Sequence, residues 1–134
     1  MKVSFDFDGT LRLPSVQQYA KSLVEAGHEV WIVTTRTTTE DIIERGWHWS
    51  KDQNIILFEI AEACGILKEH IVFTDHQDKI HFLKGKGFAF HLDDDVHELM
   101  CIIESGEPCK PVNVEHFEWK ETCNKIIENG RIYP

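Results

Sequence analysis

KVSFDF (residues 2–7), DGT (8–10), PSVQQYAKSLVEAG (14–27) and VWIV (30–33) decide the fold. Residues 2–7 begin as a short apolar strand that stops at Asp8-Gly9-Thr10, a turn signal. Pro14-Ser15 announces a helix with Ser15 as its N-cap. Val16, Tyr19, Ala20, Leu23 and Val24 recur at helical spacing, and Gly27 closes the helix. Val30-Trp31-Ile32-Val33 is a continuous apolar run, the mark of a strand covered on both faces. One β-α-β unit is complete by residue 34.

The alternation continues along the chain. Thr37 and Glu40 have capping-box spacing, and Ile42-Ile43 predicts a short helix interrupted by Gly46. Trp47-His48-Trp49 fits neither period. Asn54 to Gly65 reads as a helix with Ile56, Ile60 and Cys64 along one stripe. A strand is predicted over 71–73, a helix over 78–86, a strand over 88–92 and a helix over 96–104. A fifth strand over 111–114 and a last helix over 116–129 complete the pattern. Strands alternating with helices predict an α/β fold: a doubly wound, mainly parallel five-stranded sheet with helices on both faces and right-handed crossovers. With 134 residues and 15.6 kDa, residues 1–134 fit one compact domain.

Charge and cysteine usage narrow the function classes. The formal charge is −9, which disfavours general nucleic-acid binding and lipid headgroups, since both are held mainly by Lys and Arg. No apolar run approaches the roughly 20 residues needed to cross a bilayer. Cys64, Cys101, Cys109 and Cys123 form no C-x-x-C pair and read as free thiols, which points to a reducing, cytoplasmic setting. The opening residues show neither a basic n-region nor an apolar h-region, in keeping with that expectation.

In parallel sheets, ligands lie beyond the C-terminal ends of the strands. Those ends carry Asp6 and Asp8, Thr34 and Thr35, Thr74 and Asp75, and Asp93, Asp94 and Asp95. Asp6 and Asp8 stand two apart where a strand dissolves into a turn, and Gly9 lets the backbone bend so that both carboxylates reach one spot. Such a pair divides labour, one group attacking and the other moving protons. The acidic run at 93–95 adds negative charge, and a cluster of this kind calls for a cation. Hard oxygen donors in small number suit Mg²⁺.

Asp6-Phe7-Asp8-Gly9-Thr10-Leu11 resembles the first motif of the haloacid-dehalogenase-like phosphohydrolases, D-x-D-G-T followed by an apolar residue. Ile32-Val33-Thr34-Thr35 resembles the second, Lys79 the third and Leu92-Asp93-Asp94 the fourth, in the family's order over residues 3–98. The resemblance implies Asp6 as the nucleophile that becomes an aspartyl-phosphate. It implies Asp8 as the group that protonates the leaving oxygen and then activates water. Mg²⁺ would be held by Asp6, the Asp8 carbonyl and the Asp93-Asp94 pair, with Asp94 favoured over Asp93. Thr34 would bond a phosphoryl oxygen, with Thr35 as its competitor, and Lys79 would neutralise charge. Lys84 and Lys86 stand further along the same predicted helix and compete with Lys79.

Gly9, Thr10, Thr35 and Arg36 are the positions expected nearest the substrate. The segments after the first and second motifs are too short for a cap domain, so an open site and a large phosphorylated substrate, or a nucleotide, are expected. Arg36 is placed to pair with a phosphate or carboxylate on that substrate. Trp47, His48 and Trp49 read first as packing of a short irregular segment, with stacking on a base or sugar as the alternative. His76 reads as a loop histidine. Two readings outside enzymology remain open: a receiver-like signalling domain with the same residue types, and a phosphate-binding or Mg²⁺-binding platform without turnover.

Overall fold

The computed structural model describes residues 1–132. Five strands, β1 (Lys2–Phe5), β2 (Glu29–Thr34), β3 (Ile71–Phe73), β4 (Phe90–Asp93) and β5 (Lys110–Asn113), form one sheet in the order β3-β2-β1-β4-β5. Every pairing is parallel, so each connection must cross over, and helices fill the crossovers. These are α1 (Pro14–Glu25), α2 (Thr39–Glu44), α3 (Ile55–Cys64), α4 (Ile80–Leu83), α5 (Val96–Ser105) and α6 (Trp119–Ile132). The chain winds from β1 out to β3, then returns to place β4 and β5 on the other side of β1. This is a Rossmann-like, doubly wound α/β fold.

Side chains alternate along each strand, so the two faces bury different sets. Val3, Phe5, Val30, Ile32, Phe90 and Leu92 face α1, α3 and α6, whose contributions include Val16, Leu23, Leu57, Ala61, Cys123 and Ile127. The Phe5 ring meets Tyr19 and Phe90 edge-on at 6.4 and 5.9 Å. Val33 faces the other way and packs with Leu83 of α4, Ile102 of α5, Phe88 and Cys109. The segment 109–132 therefore completes and covers the sheet.

Local chemistry shifts several boundaries. Pro14 takes the first helical turn of α1 and Leu13 the cap position, so Ser15 lies inside the helix; proline's fixed φ suits N1. Thr38, one residue beyond Thr37, caps α2 by accepting from the Asp41 amide. In α3 the buried stripe is Leu57, Ala61 and Cys64, with Ile56 turned outward. The predicted helix over 78–86 shrinks to a single turn because Gly85 and Gly87 take left-handed conformations after Leu83. β1 ends at Phe5, and Phe7–Leu11 forms one loose turn broken at Asp8 and Gly9.

Neither the connection after β1 nor the one after β2 carries an inserted folding unit. The latter holds only α2, 3-10 turns at His48–Ser50 and Lys68–His70, and α3. All four cysteines are free; burial pushes the Cys109 and Cys123 thiols up to about 12, so they are inert packing groups. Among the described residues no helix is long and apolar enough to cross a membrane.

Candidate active site

The chain reverses its winding direction between β1 and β4, the switch point where a doubly wound sheet opens a crevice. Phe5 pairs with Leu92, and the Asp6 amide donates to the Leu92 carbonyl at 2.8 Å. Asp6 and Asp93 therefore leave adjacent strands side by side. Asp6, Asp8, Thr35, Lys79, Asp93 and Asp94 line one cleft of about 280 Å³ at this edge.

Lys79 holds the cleft together. Its Nζ donates to Asp6 Oδ1 at 2.7 Å and to Asp93 Oδ2 at 2.6 Å, and its amide donates to Glu98 Oε2 at 2.9 Å. The side chain is buried, whereas Lys84 and Lys86 are exposed, so only Lys79 of the three reaches the acids. Thr10 Oγ1 donates to Asp6 Oδ2 at 3.1 Å. Burial opposes the ammonium, but Asp6 and Asp93 outweigh it and hold the Lys79 pKa above its ordinary value. Burial pushes Asp6 upward, against the pull of Lys79, and the negative charge of Asp93 and hydrogen bonding with Asp94 add to the rise. Asp93 is buried too, yet the bond from His91 and the charge of Lys79 hold it below the usual carboxylate range.

Behind Asp93 runs a line of polar groups that motif reading passed over. His91 Nε2 lies 2.8 Å from Asp93 Oδ2, and Ser4 Oγ lies 2.8 Å from His91 Nδ1. A carboxylate can only accept, so Nε2 carries the ring proton and Nδ1 accepts from the serine hydroxyl. Full burial depresses the His91 pKa, keeping the ring neutral. The signal was present in the sequence: Ser4 and Asp6, and His91 and Asp93, are two apart on strands and so share a face.

Asp8 stands at the mouth of the cleft. Arg36 Nε and Nη2 each donate to one of its oxygens at 2.8 Å, a bidentate pair, and these hydrogen bonds lower its pKa. Gly9, at φ +76°, makes the turn, and a Cβ there would fall 2.3 Å from Asp94 Oδ2. Only glycine fits between the turn and Asp94.

Thr35, not Thr34, lines the cleft. Thr34 is buried, and its Oγ1 accepts from the Arg36 amide. One step along a strand turns a side chain to the opposite face, and Thr35 shares the face of Val33 rather than that of Ile32. Trp47, Trp49 and His76 lie outside the cleft, around a neighbouring hollow. Thr74 is buried and donates to the Gln77 carbonyl.

The donor set fits a hard divalent cation. Asp6, Asp93 and Asp94 each offer a carboxylate oxygen, and these lie within 4.8 Å of one another. Among the described residues only Lys79 counters them directly, leaving net negative charge at an opening of oxygen donors. Compared with family models, curated proteins and solved structures, the chain gives no significant match.

Proposed function

We propose that this chain hydrolyses a phosphomonoester through an aspartyl-phosphate on Asp6, as its resemblance to the haloacid-dehalogenase-like phosphohydrolases implies. The observation that carries this reading is the setting of Asp6. A buried carboxylate is oriented by Thr10 and Lys79 at the switch point, with a second carboxylate, Asp8, two residues on at the cleft mouth.

The chemistry follows from these groups. An Asp6 oxygen attacks phosphorus in line as the bond to the leaving oxygen breaks, and Asp8, which Arg36 holds ionised at rest and which must first take up a proton from solvent, gives that oxygen a proton. The Asp8 carboxylate then takes a proton from water, whose oxygen attacks the same phosphorus and releases Asp6. The net result is ester plus water giving alcohol and phosphate. Lys79 offsets the repulsion between an anionic nucleophile and an anionic phosphoryl group. Thr35 is positioned to bond a phosphoryl oxygen. Asp6, Asp94 and the Asp8 carbonyl would hold Mg²⁺, with Asp93 beside them. When bound, Mg²⁺ supplies the positive charge that favours ionised Asp6 and balances the phosphate dianion.

The strand order argues against a receiver-like domain, since receivers follow the order 2-1-3-4-5 and this sheet follows 3-2-1-4-5. Four free thiols favour a reducing compartment such as the cytoplasm. The test is phosphate release from an aryl phosphate, with Mg²⁺ and with chelator, for wild type and Asp6→Asn. Release that needs Mg²⁺ and falls by about three orders of magnitude or more in the variant is expected. Release that survives in Asp6→Asn would overturn the mechanism, and none from a broad panel of esters would overturn the activity.

A further inference from the structure

Next to the acidic cleft lies a second hollow of about 410 Å³ that shares Asp8 and Thr35 with it and is bounded by Arg36, Trp47, Trp49 and His76. Its walls differ in chemistry from the cleft. Trp49 is 82 % exposed, a large aromatic face with nothing packed over most of it. Arg36 lines the hollow, and two more of the chain's four arginines, Arg12 and Arg45, contact residues of its lining, although the protein is strongly acidic overall. Arg36 and Arg12 approach Asp8, and Arg45 lies 5.0 Å over the Trp47 ring. Guanidinium forks beside tryptophan faces suit a planar group that carries an anion.

The segment that ends at the edge of the hollow is held in a costly conformation. Asp75 and His76 both have positive φ, at 54° and 66°, without being glycine. Arg45 binds Asp75 through two bonds at 2.8 and 2.6 Å, Thr37 adds a third, and the His76 amide donates to the Thr35 carbonyl. The strain is maintained by surrounding bonds and sets His76 at the edge of the hollow.

Arg36 and Asp8 differ in how firmly each is held. The Arg36 side chain is 14 % exposed, donates from Nη1 to the Gln53 carbonyl and lies 4.9 Å over the Phe7 ring. The Asp8 side chain is 51 % exposed and rests on a turn. Arg36 is therefore the more firmly held member of the pair and Asp8 the more exposed one. While the pair is closed, both Asp8 oxygens face the guanidinium rather than a leaving group.

Resting on the hydrolase reading above, we propose that this hollow binds the leaving-group half of the substrate. That half carries a planar ring against the Trp47–Trp49 turn and a second anionic group, carboxylate or phosphate. The second anion takes the place of Asp8 on the Arg36 fork, so that Asp8 is freed for the reacting oxygen only when such a substrate is seated. Arg36 is thus a specificity-determining residue, and the selectivity that a cap domain would supply comes from a latch between two side chains.

The probes are phenyl phosphate, carboxyphenyl phosphate in its three ring isomers, and phenylene bisphosphate. In wild type, kcat/KM for at least one anion-bearing ester exceeds that for phenyl phosphate by about tenfold or more, the range expected of one bidentate charge-assisted contact. Arg36→Gln removes that preference by lowering the anion-bearing rate relative to the phenyl phosphate rate, so that the ratio of the two falls to about one. A carboxylate preference without a bisphosphate preference, or the reverse, identifies which anion the fork takes. Quenching of tryptophan fluorescence by the same esters in Asp6→Asn reads binding without turnover, and Trp49→Ala reduces that quenching. If no ester is hydrolysed, tighter binding of the anion-bearing probes that Arg36→Gln erases still upholds the hollow while the hydrolase reading falls. An equal preference in wild type and Arg36→Gln, in rate or in binding, overturns the proposal.

Discussion

In β4, Phe90 and Leu92 turn to one side of the sheet and His91 and Asp93 to the other, and all four are buried. The first side is hydrocarbon throughout, with rings of Phe5, Tyr19 and Phe90 in edge contact under α1 and α6. The second carries Ser4, His91, Asp93 and Lys79 as one hydrogen-bonded line ending at Asp6. The two sides spend burial differently. Apolar area on the first gains stability in proportion to the surface removed from water. Ion pairs on the second gain little net stability, because desolvating the charges costs about as much as their attraction returns. What the polar side gains is orientation: each carboxylate oxygen in the line has a donor that holds it in place.

Three substitutions would break or sharpen this contrast. Phe90→Ala, on the hydrocarbon side, should lower unfolding free energy by about 3–5 kcal/mol, the usual cost of deleting a buried aromatic ring. Urea unfolding at pH 6 and pH 8 should give the same loss, since no titrating group is touched; a strongly pH-dependent loss would place Phe90 in the polar line.

His91→Leu should cost less, about 1–3 kcal/mol, by leaving Asp93 and Ser4 each short of one partner. Its signature is the pH dependence. Folded His91 has a depressed pKa, so below the ordinary value of 6.5 the unfolded chain binds the extra proton and the folded one does not. That contribution to stability is full above 6.5 and is lost as pH falls. The gap between wild type and variant should therefore be widest near pH 8 and narrow towards pH 5, as followed by thermal unfolding. A constant gap would mean that His91 titrates alike in the folded and unfolded chains, and a gap that widens towards pH 5 would mean that the fold favours the protonated ring.

Ser4→Ala should have the smallest effect, about 0.5–1.5 kcal/mol, because it removes one neutral hydrogen bond at the far end of the line. A loss as large as that of Phe90→Ala would show that the line acts as one cooperative unit.

Much of this architecture was legible in the residues. Continuous apolar runs at 30–33 and 71–73 marked buried strands, and Gly27 and Gly65 marked helix ends, all of which recur in the fold. The gathering of Asp6, Asp8, Asp93 and Asp94 at one edge was also readable, because they stand at strand ends and turns, whereas Lys79 was singled out by the family resemblance. Less was readable where neighbours are distant in the chain. The threonine facing the cleft depends on strand parity, and the α3 stripe depends on which side α1 occupies. The Arg36–Asp8 latch joins residues 28 apart and the Lys79–Asp6 bond residues 73 apart.

Periodicity and turn chemistry act within a few residues, so the sequence by itself determined the elements, their alternation and the set of acids at the strand ends. Which acid meets which cation was decided only by the tertiary structure. Sheet order sets β4 against β1, parallel register sets Asp6 beside Asp93, and the short α4 delivers Lys79 between them. Electrostatic contacts of this kind act over a few ångströms, and those distances exist only once distant segments have packed.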